Sequence, residues 1–102
     1  PEGAARFAVD DERKQIRFRG QALDLSRIEY RLLKLLVERP GRVFSRDELM
    51  NRAWDDPAAS LDRTVDAHVK SLRAKLRAID AESDPIQTHR GMGYSLRESG
   101  AA

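Results

Sequence analysis

Apolar residues first alternate with polar ones along this chain and then recur every three or four positions, which gives the order of elements. Phe7 to Val9, Ile16 to Phe18 and Leu23 to Leu25 each alternate at the period of a half-buried strand, with polar breaks at Asp10-Asp11-Glu12 and Gly20. The spacing predicts a small antiparallel sheet. Ser26-Arg27-Ile28-Glu29 then reads as a capping box, in which a serine hydroxyl accepts from a backbone N–H while the glutamate reaches back. Ile28, Leu32, Leu35 and Leu36 share a face behind it, and Pro40-Gly41 stops that helix. Ser45-Arg46-Asp47-Glu48 is a second box, ahead of Leu49, Ala53 and Trp54, so two separate helices are expected. A link over 55–60 leads to a third helix from about Asp62 to Ile79. Ile86 to Arg90 and Tyr94 to Arg97 flank Gly91-Met92-Gly93, where glycine permits the positive φ of a tight hairpin. Residues 1–5 and 99–102 carry no hydrophobic period and are expected to be frayed ends, leaving one domain over 6–98.

The third helix carries the functional signal. Val65, Val69, Leu72, Leu76 and Ile79 fall in one stripe, the expected core seam. The opposite side presents Arg63, Ala67, Lys70, Arg73, Ala74 and Arg77, with Thr64, Ser71 and Lys75 on its flank and Asp62 and Asp66 as the only acids. Five cations against two anions give this segment +3, whereas the whole 102-residue chain carries only +2. Positive charge is therefore concentrated on one rod. Such a face has an ordinary reading as solvated surface. It also suits a DNA major groove, because Ala67, Ser71 and Ala74 allow close approach while longer cations reach phosphates and base edges. Arg90, just before the glycine-flanked tip, is by itself a plain surface charge, but its place suits an arginine held into a narrow minor groove. In this order the elements spell an α+β winged helix-turn-helix: an N-terminal antiparallel sheet, three helices and a C-terminal β-hairpin wing.

Composition narrows the function classes. The chain has no cysteine, which excludes disulfides, thiolate zinc sites and cysteine nucleophiles and fits a reducing compartment, with the cytoplasm as the default. Its longest apolar runs, Leu32-Leu33 and Leu35-Leu36-Val37, are far too short to span a membrane, and no signal peptide opens it. His68 and His89 are the only histidines, so neither a metal nor another cofactor is expected, and no catalytic constellation suggests an enzyme. Asp66 is expected to orient a nearby arginine, and Trp54 to be partly buried with one edge exposed. Two rivals to duplex binding stay open: a protein-interaction module whose basic strip meets an acidic partner, and single-strand binding by stacking. The scatter of Phe7, Phe18, Tyr30, Phe44, Trp54 and Tyr94 through core-like positions disfavours the second.

Arg63-Thr64-Val65-Asp66-Ala67-His68-Val69-Lys70 followed by Leu72-Arg73-Ala74-Lys75-Leu76-Arg77 resembles the recognition helix of the OmpR/PhoB family of bacterial response regulators. Pro40 to Arg46, Leu49 to Trp54 and Arg90-Gly91-Met92-Gly93-Tyr94 resemble three further family motifs in the same order and spacing, so the resemblance covers roughly 6–98. Within the family, the helix end and His89 to Leu96 look most similar to the CreB branch. The resemblance implies a C-terminal DNA-binding effector domain of a two-component transcription regulator, with the phosphate-accepting receiver domain absent from this chain. It further implies double-stranded DNA with direct-repeat half-sites as the partner, two copies bound in tandem, and RNA polymerase touched through loop 55–60. Carried over residue by residue, it makes Arg63, Thr64, His68 and Arg73 backbone-leaning contacts and puts Ala67, Lys70 and Ser71 nearest the base edges. Arg46 and Trp54 match phosphate contacts from the second helix, Thr88 a wing-strand phosphate contact, and Arg90 the minor-groove arginine. Ser71 stands where many members carry a basic residue and Ala67 where a larger aliphatic is usual, which leaves the base preference open.

Overall fold

Strand β1 (Phe7–Asp10) pairs antiparallel with β2 (Gln15–Phe18), which pairs with the two-residue β3 (Gln21–Ala22). The structure is a computed structural model and describes residues 6–55 and 64–97. Alternation explains the sheet: Phe7, Ile16 and Phe18 point inward and are buried while Ala8 and Arg17 are exposed, and the Phe7 and Phe18 rings meet at 4.8 Å. The third strand lies earlier than the alternation of Leu23 to Leu25 suggests. Arg19 and Gly20 both take positive φ, 51° and 83°, and form a two-residue turn that sets Gln21 opposite Phe18. Leu23 still donates its N–H to the Ile16 carbonyl at 3.0 Å, after which the chain leaves the sheet for the Ser26 cap.

Helix α1 (Arg27–Glu38) opens at Ser26 with both arms of its capping box formed. Its buried residues are Glu29, Tyr30, Leu32, Leu33, Leu36 and Val37, whereas Ile28 and Leu35, expected on the inner face, are only partly covered. The reason is position: α1 packs against β2, the two other helices and the last strand, so it buries a broad arc instead of one narrow stripe. Arg39 caps the helix ahead of Pro40, which lacks the N–H a further turn would need. The second box, at Ser45, opens α2 (Arg46–Ala53), which ends at Trp54.

Helix α3 (Val65–Ile79) follows the 3.6-residue period closely, burying Val65, Val69, Leu72 and Leu76 with Ile79 partly covered. Its start is later than Asp62, because Thr64 is already extended (φ −78°, ψ 105°) as the N-cap residue. Asp62 and Arg63 lie outside the described residues. The chain closes with an antiparallel hairpin, β4 (Ile86–His89) and β5 (Gly93–Leu96). Phe44 and Tyr94 exchange backbone hydrogen bonds of 2.8 and 2.9 Å, fastening the hairpin to the segment just before α2. Ile16, Phe18, Leu32, Leu33, Leu36, Phe44, Leu49, Val69, Leu72, Leu76, Ile86 and Leu96 are shut off from solvent in one core to which the two sheets and three helices of the described residues contribute.

Candidate nucleic-acid interface

With its seam in the core, α3 turns the opposite side outward. Ala67, Lys70, Ala74 and Arg77 are exposed and, at positions 0, 3, 7 and 10 of a 3.6-residue helix, lie in one strip about 80° wide. The strip alternates small and cationic side chains, so a partner's backbone can come close at the alanines while Lys70 and Arg77 reach past them. Among the described residues neither cation meets a carboxylate. The helix is basic as a whole, with Lys70, Arg73, Lys75 and Arg77 against Asp66.

Two of those cations serve the fold on the flanks of the strip. On one flank Lys75 donates to Glu29 at 2.5 Å and to the Asp24 carbonyl at 2.6 Å, and the Ser71 hydroxyl donates to the other Glu29 oxygen at 2.5 Å. Glu29 is only 4% exposed. Burial pushes its carboxyl up, but Lys75, the Ser26 N–H and Ser71 outweigh that and hold it down at about 2. Ser71, expected among the residues nearest the base edges, is therefore half-buried, with its hydroxyl turned inward onto α1.

On the other flank Arg73 donates to the Ile86 carbonyl at 3.0 Å and the Thr88 hydroxyl at 2.6 Å, tying α3 to the first strand of the hairpin. Thr88 itself stays exposed. Asp66 accepts from Arg46 Nε at 2.8 Å and from the Tyr94 hydroxyl, joining the starts of α2 and α3 to the last strand. The Tyr94 hydroxyl, then Arg46, hold the Asp66 carboxyl below its usual range against the opposing effect of burial. This is the arginine-orienting place expected of Asp66. Arg46 lies 5.2 Å from the Tyr94 ring centre, with its side chain 40% exposed at the rim of the strip.

Trp54 is covered more fully than expected. It is 6% exposed and meets the half-buried His68 ring edge-on at 5.3 Å, because the chain turns at the end of α2 and presses the indole against the first turns of α3. Trp54 and His68 thus pack beneath the strip, not on it. Thr64 is exposed at its N-terminal end, and Arg90 is exposed at the hairpin tip. The structure so brings Thr64, Ala67, Lys70 and Arg46 to one side, with Arg73, Thr88 and Arg90 along the hairpin. Arg63 lies outside the described residues, as do residues 56–60 of the link expected to touch a polymerase.

Arg77 and Ala74 belong to the strip although the family motif singled out neither, and their helical spacing was the available signal. Glu29 as an anchor for α3 was hidden, since its partners lie 42 and 46 residues away. All six aromatic rings are buried, so no stacking platform for single strands faces solvent. Among the described residues no group of three or more His, Asp or Glu could hold a metal ion, and no helix is long and apolar enough to cross a membrane.

Comparison with known proteins gives a consistent result. The family profile described as "Transcriptional regulatory protein, C terminal" matches residues 20–96. Transcriptional regulatory protein CreB of Escherichia coli is 53% identical over 91 residues, covering 89% of this chain but 40% of its own length. BaeR of Escherichia coli is 48% identical over 86 residues, covering 84% of this chain and 36% of its own length. The chain therefore spans two fifths or less of these relatives. Among solved structures, the DNA-binding domain of response regulator AdeR in complex with an intercistronic region superposes with a TM-score of 0.76 at 31% identity, covering 92% of this chain and 95% of that one. The DNA-binding domain of Klebsiella pneumoniae RstA in complex with the RstA box gives 0.72 at 27% identity, covering 90% and 91%.

Proposed function

The chain belongs to the family of C-terminal domains of transcriptional regulatory proteins, and from that premise we propose that it is the sequence-specific, double-stranded-DNA-binding effector domain of a two-component response regulator. One observation carries this reading: the outer strip of α3, Ala67-Lys70-Ala74-Arg77, is exposed, cationic and rigidly seated, with Arg90 projecting from a hairpin beside it. A helix of this width fits the major groove, where Lys70 and the alanines face base edges and Arg77 and Arg46 reach phosphates. Arg90 enters the neighbouring minor groove.

The chain's share of its relatives' length supports a receiver domain elsewhere in the same regulator. Phosphorylation of that domain would bring two copies together on direct-repeat half-sites, raising affinity by effective concentration without new DNA contacts. The link after α2 is the segment we assign to RNA polymerase, and the cytoplasm is the compartment this role requires. The domain itself performs no catalysis in this reading.

Selection from random duplexes tests it. The expected product is one recurring half-site, repeated in the same orientation about one helical turn, roughly 10 bp, apart when two copies bind. Enrichment of no sequence at any salt concentration would contradict it.

A further inference from the structure

Met92 is the one large apolar side chain that stands well out in solvent among the described residues, at 63% exposure. It sits at the tip of the hairpin, two residues after Arg90. The turn does not require it. The Met92 N–H closes the turn onto the His89 carbonyl at 2.9 Å, and the positive φ falls on Gly91 at +76°, so a polar turn former at position 92 would serve the backbone equally well. Nor does Met92 belong to the core cluster or its partly buried rim.

The tip is nevertheless held in place. Gly93 lies so close to the preceding segment that a Cβ built on it would be 1.8 Å from the Phe44 carbonyl oxygen, and His89 and Ser95 join across the hairpin at 2.7 Å. Arg73 fastens Thr88, just below the tip, to α3. Arg90 and Met92 therefore keep a fixed offset from the strip that carries Lys70.

We propose that Met92 is a minor-groove wedge. Resting on the DNA-binding reading above, the inference adds a second contact type to the wing. While Arg90 answers the negative potential of the groove, the flexible thioether chain of Met92 lies against the floor and partly unstacks one base step. Unstacking kinks the duplex toward its major groove, the side α3 occupies, and draws more DNA onto the basic strip. The ligand feature recognised is deformability. Pyrimidine–purine steps open most readily, so the preferred site carries one such step where the wing lands, at a base pair that no hydrogen-bonding side chain reads.

The test uses the chain as it stands, with Met92→Ser and Met92→Leu, on single half-site duplexes from the selection. Each duplex carries either a TA step or a stiff A-tract step at the wing position. Affinity is read by titration and bending by energy transfer between end labels. Wild type and Met92→Leu should favour the TA duplex by about fivefold or more and bend it, and Met92→Ser should lose both effects while keeping its preference at the bases facing α3. Met92→Ser with unchanged bend and step preference overturns the wedge and leaves the DNA reading standing. So does a Met92→Ser variant that matches wild type on the single half-sites and, titrated in parallel on a paired half-site duplex, loses only cooperativity, which would place Met92 against the neighbouring copy. A wild-type chain that binds no duplex overturns the DNA reading itself, and the wedge with it.

Discussion

Lys70 is the residue whose chemistry bears most directly on sequence choice. It is exposed on the outer strip with alanines at 67 and 74 on either side, so its ammonium can reach a purine edge without displacing a bulkier neighbour. Lys70→Ala should weaken binding to the selected site by about 1 to 3 kcal/mol and relax preference at one or two base pairs, measured by titrating a panel of single-position variant duplexes. An equal loss on every duplex would make Lys70 a phosphate contact instead. Lys70 and Ala67 were legible in the sequence because both follow from the rotation of a helix whose apolar seam is plain. Ser71 and Trp54 were not. Family position put both at the interface, joined for Ser71 by its small size on the flank of the basic face, but a hydroxyl on the flank of a helix is free to turn inward when a buried carboxylate lies within reach, as Glu29 does. A tryptophan at the end of a helix likewise covers whatever the next turn brings beneath it, here His68.

At the scale of elements, the question is what holds α3 at the angle that presents its strip. Hydrophobic packing of Val65, Val69, Leu72 and Leu76 fixes its depth, and polar anchors on both flanks fix its rotation: Glu29 on the α1 side, Arg73 and Asp66 on the hairpin side. Glu29 caps α1 through Ser26 and holds Lys75 and Ser71 with the same carboxylate, so the two helices share one charge. Its carboxyl lies at about 2, against an ordinary 4.5. A depressed carboxyl stabilises the fold fully above the unfolded value and loses that contribution as pH falls toward the folded one. The shift corresponds to about 3 kcal/mol. Comparing wild type with Glu29→Gln by urea unfolding, the stability gap should be widest near pH 6 and close progressively between about pH 5 and pH 2. A gap independent of pH would show that the charge on Glu29 does not matter. The helix starts were the most legible elements, since Ser26-x-x-Glu29 and Ser45-x-x-Glu48 write their caps within four residues. The third strand was the least legible, because its register is set by the positive φ of Arg19 and Gly20, a backbone property that alternation of side chains does not report.

On the scale of the whole molecule, the net charge of +2 conceals an uneven distribution. Asp11 takes up Lys34, Asp55 takes up Arg27 and Arg31, and Glu48 takes up Arg42, while Lys70, Arg77 and Arg90, like Arg17, Arg39 and Arg52 elsewhere on the surface, are exposed cations without a carboxylate partner among the described residues. The order sheet, three helices, hairpin could be read in the sequence. What the sequence could not give was the fastening between α3 and the hairpin through Arg73, Asp66 and Tyr94, all contacts between residues distant in the chain. That fastening lets helix and wing meet one duplex as a single rigid surface. The most direct measurement is the affinity for the selected duplex across a range of salt concentrations, for wild type and for the triple variant Lys70→Ala, Arg77→Ala, Arg90→Ala. Wild type should show a log–log slope of about −3 or steeper, and removing these side chains should flatten it by roughly 1 for each that meets a phosphate. A wild-type slope near zero, or one that the triple variant leaves unchanged, would contradict the account.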